Sequence, residues 1–121
     1  MPIAKYRLVA LDCPDPRGLA EFYQRIVGGR IKQETDADHW VRLELDDASD
    51  IAFQRDDNYR APQWPDGLPQ QAHLDLEVTD LDAAEREVLA VGATKASIQP
   101  TPDEWRVFLD PAGHPFCLVV I

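Results

Sequence analysis

Three polar side chains alternate with leucines in the second half of the chain, and their types could do chemistry. His73, Asp75 and Glu77 are separated by Leu74 and Leu76. An imidazole and carboxylates can transfer protons, hydrogen-bond to a ligand or coordinate a divalent ion. Successive side chains of a strand point to opposite faces, so these three are expected to share one face. Neighbours on one strand do not by themselves define a His–Asp catalytic pair.

One cysteine and three tryptophans are the other candidates. Cys117 is one of only two cysteines, neither lies in a CxxC motif or a Cys/His cluster, and both are predicted to be reduced thiols. Trp40, Trp64 and Trp105 could stack against a planar or cationic ligand, or pack in the core and at sheet edges. Arg42 is a possible partner for the acidic strand. Nothing resembles a nucleophile elbow, a phosphate loop or a dinucleotide fingerprint.

The charge balance limits the partners. The 121 residues include 12 basic and 22 acidic side chains, for a formal net charge of −10. That field repels nucleic-acid phosphates and anionic lipid, so neither nucleic acid nor a membrane is an expected partner. It would favour a cationic ligand, although solubility alone also explains an acidic surface. Without an apolar run of roughly 18 residues or a recognisable leader, we expect a cytoplasmic protein.

An internal repeat organises the chain. Residues 8–15 match residues 73–80 at an offset of 65, and both segments show the period-two pattern of a strand. Each is followed by an amphipathic helix that begins at an aspartate, Asp15 or Asp80, and ends at a pair of small residues. The turns at 45–48 and 109–112 match at an offset of 64. Further strands are predicted at 31–35, 40–46, 51–55, 94–99, 105–109 and 115–121.

This order predicts an α+β fold made of two βαβββ modules. We expect one domain over residues 1–121, with module one at 5–57, a linker rich in proline at 58–71 and module two at 72–121. A lone module would expose one face of its sheet. The two sheets are therefore expected to curl into an incomplete barrel with a groove between the modules.

The pattern resembles the vicinal oxygen chelate superfamily, which includes glyoxalase I, ring-cleaving dioxygenases and bleomycin-resistance proteins. The similarity covers nearly the whole chain and is closest to small glyoxalase-like members. It is carried by the strand-to-helix segment DPRGLAEFY at 15–23, the hairpin DPAGHPF at 110–116 and the segment QAHLD at 71–75. The resemblance implies a homodimer and a small molecule as partner.

In metal-dependent relatives, the resemblance implies a divalent ion held by the first and last strands of each half. Those positions fall on Leu8, which has no donor atom, on His73, and on Cys117, where relatives usually have Glu. The fourth falls on Phe53 by the repeat alignment, or on Gln54 if the hairpin differs by one residue. These donors are too few, so we expect no metal and no other cofactor. A mixed His/Cys site completed by water or substrate is the alternative.

We therefore predict a protein that binds a small organic molecule in the groove without the usual divalent metal. The alternative is a lyase, an isomerase or a dioxygenase-type enzyme that acts on a carbonyl compound with His73 as catalytic base. A third possibility is a domain that associates with another protein. The sequence does not decide whether the protein is an enzyme. The residues expected to contact the ligand are Leu8, Trp40, Arg42, Phe53, Gln54, Trp64, His73, Asp75, Trp105 and Cys117.

Overall fold

The computed structural model describes residues 2, 6–32, 36 and 38–120. The chain divides into two compact units, Met1–Tyr59 and Arg60–Ile121, so the boundary falls inside the predicted linker and most of the linker belongs to the second unit. We keep the names module one and module two for these units. Residues 33–35 of one predicted strand, residue 121 of another, and residue 5 at the predicted start of module one lie outside the described residues.

Both modules have the connectivity strand, helix, three strands. Module one contains β1 (Leu8–Cys13), α1 (Pro16–Val27), β2 (Arg30–Lys32), β3 (Trp40–Glu44) and β4 (Asp50–Arg55). Module two contains β5 (Leu74–Val78), α2 (Leu81–Ala90), β6 (Thr94–Lys95), β7 (Trp105–Leu109) and β8 (Pro115–Val120). The open sheets have the orders β1-β4-β3-β2 and β5-β8-β7-β6, with β1 parallel to β4 and β5 parallel to β8. The predicted α+β fold of two βαβββ modules is confirmed.

Each helix begins where the sequence predicts. The side chain of Asp15 accepts a hydrogen bond from the backbone N–H of Gly18 at 3.1 Å, and Asp80 accepts one from Ala83 at 3.1 Å. These bonds satisfy amide groups that have no partner within the first turn. Helix α1 ends at Gly28, whose φ of 78° lies in the left-handed region that glycine adopts without strain.

The two faces of the second sheet have different roles. β5 and β8 pair Leu74 with Phe116 and Leu76 with Leu118, and the ring of Phe116 stacks with Phe108 in the core. The intervening residues of these strands point to the opposite face. Asp75 and Glu77 of β5 therefore lie on the face opposite Leu74 and Leu76.

Strand β6 is shorter than the predicted 94–99 because a side chain replaces the backbone ladder. Gln99 donates from Nε2 to the carbonyl oxygens of Ala96 at 2.9 Å and Val107 at 2.8 Å, and its Oε1 accepts from the N–H of Val107 at 2.9 Å. The N–H of Ala96 still donates to the carbonyl of Val107 at 3.1 Å, and beyond it the Gln99 side chain supplies the hydrogen bonds at the edge of β7.

Candidate ligand-binding pocket

A pocket of about 320 Å³ opens on the face of the module-two sheet that carries Asp75 and Cys117. This face is opposite the one that carries Phe116 and Leu118. Its volume lies at the lower end of the usual range for small-molecule sites, roughly 300–1,000 Å³. It is lined by residues of the linker segment, of the start of β5, of β7 and of β8: Trp64, Gln70, His73, Asp75, Trp105, Val107, Pro115, Cys117 and Val119.

The polar end of the pocket is a cluster of three side chains. His73 and Asp75 follow the predicted alternation and lie on one face, with His73 Nε2 3.2 Å from Asp75 Oδ1. The strand register places Asp75 directly opposite Cys117. Glu77 is exposed and does not line the pocket. One carboxylate therefore contacts both an imidazole and a thiol.

The thiol of this cluster stays protonated near neutral pH. Burial raises the pKa of Cys117 to about 11, and the negative charge of Asp75 and a hydrogen bond to it act in the same direction. The thiolate is the reactive form of cysteine, so a raised pKa makes Cys117 a poor nucleophile. The geometry instead makes it a hydrogen-bond donor to Asp75.

Two tryptophans form much of the apolar wall. Trp64, Trp105 and Val119 pack against a small buried cluster made of Ala96, Val107 and Cys117. Trp64 lies in a loop of the linker segment that is closed by two hydrogen bonds. The N–H of Gln63 donates to the carbonyl of Leu68, and the N–H of Leu68 donates to the side-chain oxygen of Gln63. The predicted linker thus supplies part of the pocket instead of only joining the modules.

Gln70, on the same wall, carries a buried acceptor without a donor. Its Oε1 has no hydrogen-bond partner among the described residues. Leaving such a group unpaired costs about 1–3 kcal/mol.

Half of the predicted contact residues belong to module one and lie outside this pocket. Leu8 starts β1, Trp40 starts β3, and Gln54 is an exposed residue of β4 paired with Trp40. Arg42 donates from Nε to Asp50 Oδ2 at 2.7 Å, and this bond is the main cause that lowers the pKa of Asp50. The arginine therefore has a partner within its own module.

The structure corrects the placement of Phe53. Its ring is 0% exposed and stacks on Tyr23 of α1, with 5.8 Å between ring centroids. Strands β1, β3 and β4 match β5, β7 and β8 at an offset of 65, so the counterpart of Cys117 is Ala52, not Phe53 or Gln54. The similar turn sequences at an offset of 64 misled the alignment by one residue, which reverses the face of a strand.

The donor set does not fit the ion that the resemblance implies. In module one, the side chains at the relevant positions, Leu8 and Ala52, contain no ligand atom. In module two, one ligand atom each of His73, Asp75 and Cys117 lies within 4.8 Å of the others. All three donors come from module two, whereas the ion that the resemblance implies is held by donors from both halves.

Three lining residues that the sequence analysis missed could have been found by alternation. Val107 follows Trp105 at the period of a strand, and Pro115 and Val119 flank Cys117 at the same period. Gln70 could not have been found in this way, because it lies in a segment without periodicity.

Comparisons with known proteins agree with this architecture. The model of the glyoxalase-like domain family matches residues 8–119, and the chain belongs to this family. The predicted membership of the vicinal oxygen chelate superfamily is thereby confirmed. A comparison with curated proteins gave no match. No helix among the described residues is long and apolar enough to cross a membrane.

Solved structures show the same fold at low sequence identity. A glyoxalase/bleomycin resistance protein/dioxygenase family enzyme from Burkholderia phytofirmans is 21% identical, with a TM-score of 0.71 over 98% of this chain and 99% of that chain. The E126Q mutant of the fosfomycin resistance protein FosX from Listeria monocytogenes, complexed with Mn(II) and 1S,2S-dihydroxypropylphosphonic acid, is 15% identical. Its TM-score is 0.72 over 98% of this chain and 90% of that chain. At these identities the likeness defines the fold alone.

Proposed function

We propose that the protein binds a small organic molecule in the pocket of module two, without the divalent metal used by many proteins of this fold. The observation that carries the proposal is the 320 Å³ cavity with two tryptophans on its wall and a polar cluster at one end. Apolar walls with a few convergent polar groups are typical of small-molecule sites. The lack of donor atoms at Leu8 and Ala52 supports the metal-free part.

Tryptophan fluorescence tests this proposal. The substitution Trp40→Phe removes the indole of module one, so that the remaining signal comes from Trp64 and Trp105 at the pocket. We expect saturable quenching by at least one member of a panel of single-ring organic compounds. Trp105→Leu should weaken that binding, whereas Leu89→Ala, an exposed substitution on α2, should not. Absence of saturable binding across cationic, neutral and anionic compounds would reject the proposal.

Metal analysis tests whether the protein binds its ligand without a divalent metal. Protein purified without chelators should contain far less than one equivalent of Zn, Ni, Fe or Mn, and EDTA should not change ligand affinity. One equivalent of metal that is lost in both His73→Ala and Cys117→Ala would overturn the metal-free assignment, because these residues supply two of the three clustered donors.

The contact between His73 and Asp75 favours a second candidate, an enzyme of the lyase, isomerase or dioxygenase type acting on a carbonyl compound. A carboxylate 3.2 Å from an imidazole can orient that ring as a general base. Turnover of a carbonyl compound that is lost in His73→Ala and reduced in Asp75→Asn, with ligand affinity retained, would favour catalysis. Binding without turnover supports the first candidate.

The homodimer implied by the family resemblance and the cytoplasmic location also belong to this proposal. Light scattering coupled to size-exclusion chromatography measures the mass of the protein in solution and so tests the homodimer. A mass near twice 13.7 kDa supports a dimer, and a mass near 13.7 kDa rejects it.

A further inference from the structure

The charged groups around the pocket are arranged unevenly. Among the nine lining residues, Asp75 carries the one carboxylate, and none of the nine is lysine or arginine. The basic residue of β7 is directed elsewhere: Arg106 pairs with Asp82 at 2.9 Å and Glu85 at 3.2 Å, both on α2. A bound molecule therefore meets a carboxylate on a wall that carries neither lysine nor arginine.

The aromatic wall completes a site suited to positive charge. The face of an indole attracts a cation, and tryptophan is the most effective side chain in this respect. Trp64 and Trp105 line the same cavity as the Asp75 carboxylate. Together, two indole rings and a carboxylate match an ammonium group attached to an apolar body.

We propose that the pocket of module two selects small organic cations, compounds with an ammonium group on an aromatic or aliphatic body, over neutral and anionic compounds of the same size. The selection rests on the proposed function, because it requires that the pocket bind an organic molecule. The net charge of −10 increases the local concentration of such cations. This long-range attraction is screened at high salt, whereas the direct contact of a bound cation with the indole rings does not depend on it.

A matched set of ligands tests the selection. Benzyltrimethylammonium and neopentylbenzene have the same shape and differ in charge, and phenylmethanesulfonate is an anion of similar size. In the Trp40→Phe background at about 1 M NaCl, where the Debye length is roughly 3 Å, we expect the cation to bind roughly tenfold more tightly than its neutral counterpart. The anion should bind more weakly than either.

Two substitutions on one strand separate local from overall charge. Asp75→Asn should weaken binding of the cation about three- to fivefold and leave neopentylbenzene unchanged. Glu77→Gln removes the same charge two residues further along β5, outside the pocket, and should change neither affinity by more than about twofold. Thermal unfolding confirms that both variants are folded.

The outcomes distinguish this inference from the proposed function. Binding of the neutral compound or the anion with equal or higher affinity overturns the selection for cations but leaves small-molecule binding intact. Equal losses in Asp75→Asn and Glu77→Gln also overturn it, because the effect is then one of overall charge. If none of the three compounds binds, and the wider panel also fails, the proposed function itself is rejected.

Discussion

The thiol of Cys117 reports directly on the polar cluster, and the substitution Asp75→Asn should change its titration. Three effects raise its pKa from 9.0 to about 11: burial, which is the largest, then the charge of Asp75 and the hydrogen bond to it. Asparagine removes the charge and weakens the hydrogen bond. The pKa of Cys117 should therefore fall in the variant but remain above 9.0, because burial is unchanged.

The size of the effect can be read from alkylation rates. A thiol with a pKa of about 11 has roughly 100-fold less thiolate at pH 8 than one at 9.0, since each pKa unit is a factor of ten in ionisation. Reaction with iodoacetamide, followed by mass spectrometry in a Cys13→Ala background, should be slower by about that factor than for a free cysteine peptide. Asp75→Asn should react faster than the parent at every pH from 8 to 10.

The same pKa shift predicts how stability depends on pH. The unfolded thiol ionises near 9.0 and the folded thiol near 11, so between these values the folded state holds an extra proton. The free energy of unfolding should therefore fall as pH rises through this window, by on the order of 2 kcal/mol. The Cys117→Ala variant should lose that part of the pH dependence. An alkylation rate equal to that of the peptide, or no change in Asp75→Asn, would refute the arrangement of the cluster.

Three further substitutions test the frame around the pocket by thermal and urea unfolding. Gln70→Met removes a buried acceptor without a partner and should raise the free energy of unfolding by about 1 kcal/mol; a decrease would mean that Oε1 is paired. Gln99→Met removes the acceptor of the Val107 N–H, while the Val107 carbonyl still accepts from Ala96, and should cost about 1–3 kcal/mol; a neutral result would show that solvent replaces the amide at no cost. Asp80→Ala removes the cap of α2 and should lower stability by about 1 kcal/mol, or roughly 3–5 °C, whereas Glu87→Ala, an exposed substitution further along α2, should cost less; equal losses would contradict the capping assignment.

The sequence predicted those features that depend on local periodicity. Alternation along β5 placed His73 and Asp75 on one face, and the structure finds both on the wall of one pocket. The capping aspartates Asp15 and Asp80 predicted the starts of both helices. In each case the information lies within a few residues, because a strand repeats every two positions and a cap acts within one turn.

Features that depend on residues far apart in the sequence could not be predicted from local periodicity. Gln99 ends β6 by bonding to Val107, eight residues away, and no local pattern signals that exchange. Phe53 was placed on the wrong face because the similar turn sequences of the two modules suggested an offset of 64. The paired strands β1 and β4 match β5 and β8 at an offset of 65. Gln70 and Trp64 reach the pocket from a segment whose course is set by proline, glycine and side-chain hydrogen bonds.

The two modules show how a repeat can keep its fold while its chemistry diverges. The helix-facing positions are apolar in both copies, since Phe53 and Leu118 occupy equivalent buried places. On the opposite face, Ala10 and Ala52 stand where module two has Asp75 and Cys117. Burial against the helix restricts one face of each sheet, and the other face is free to vary. This freedom allows module two to place Asp75 beside Cys117, where the charge of the carboxylate adds to the effect of burial in raising the pKa of the thiol.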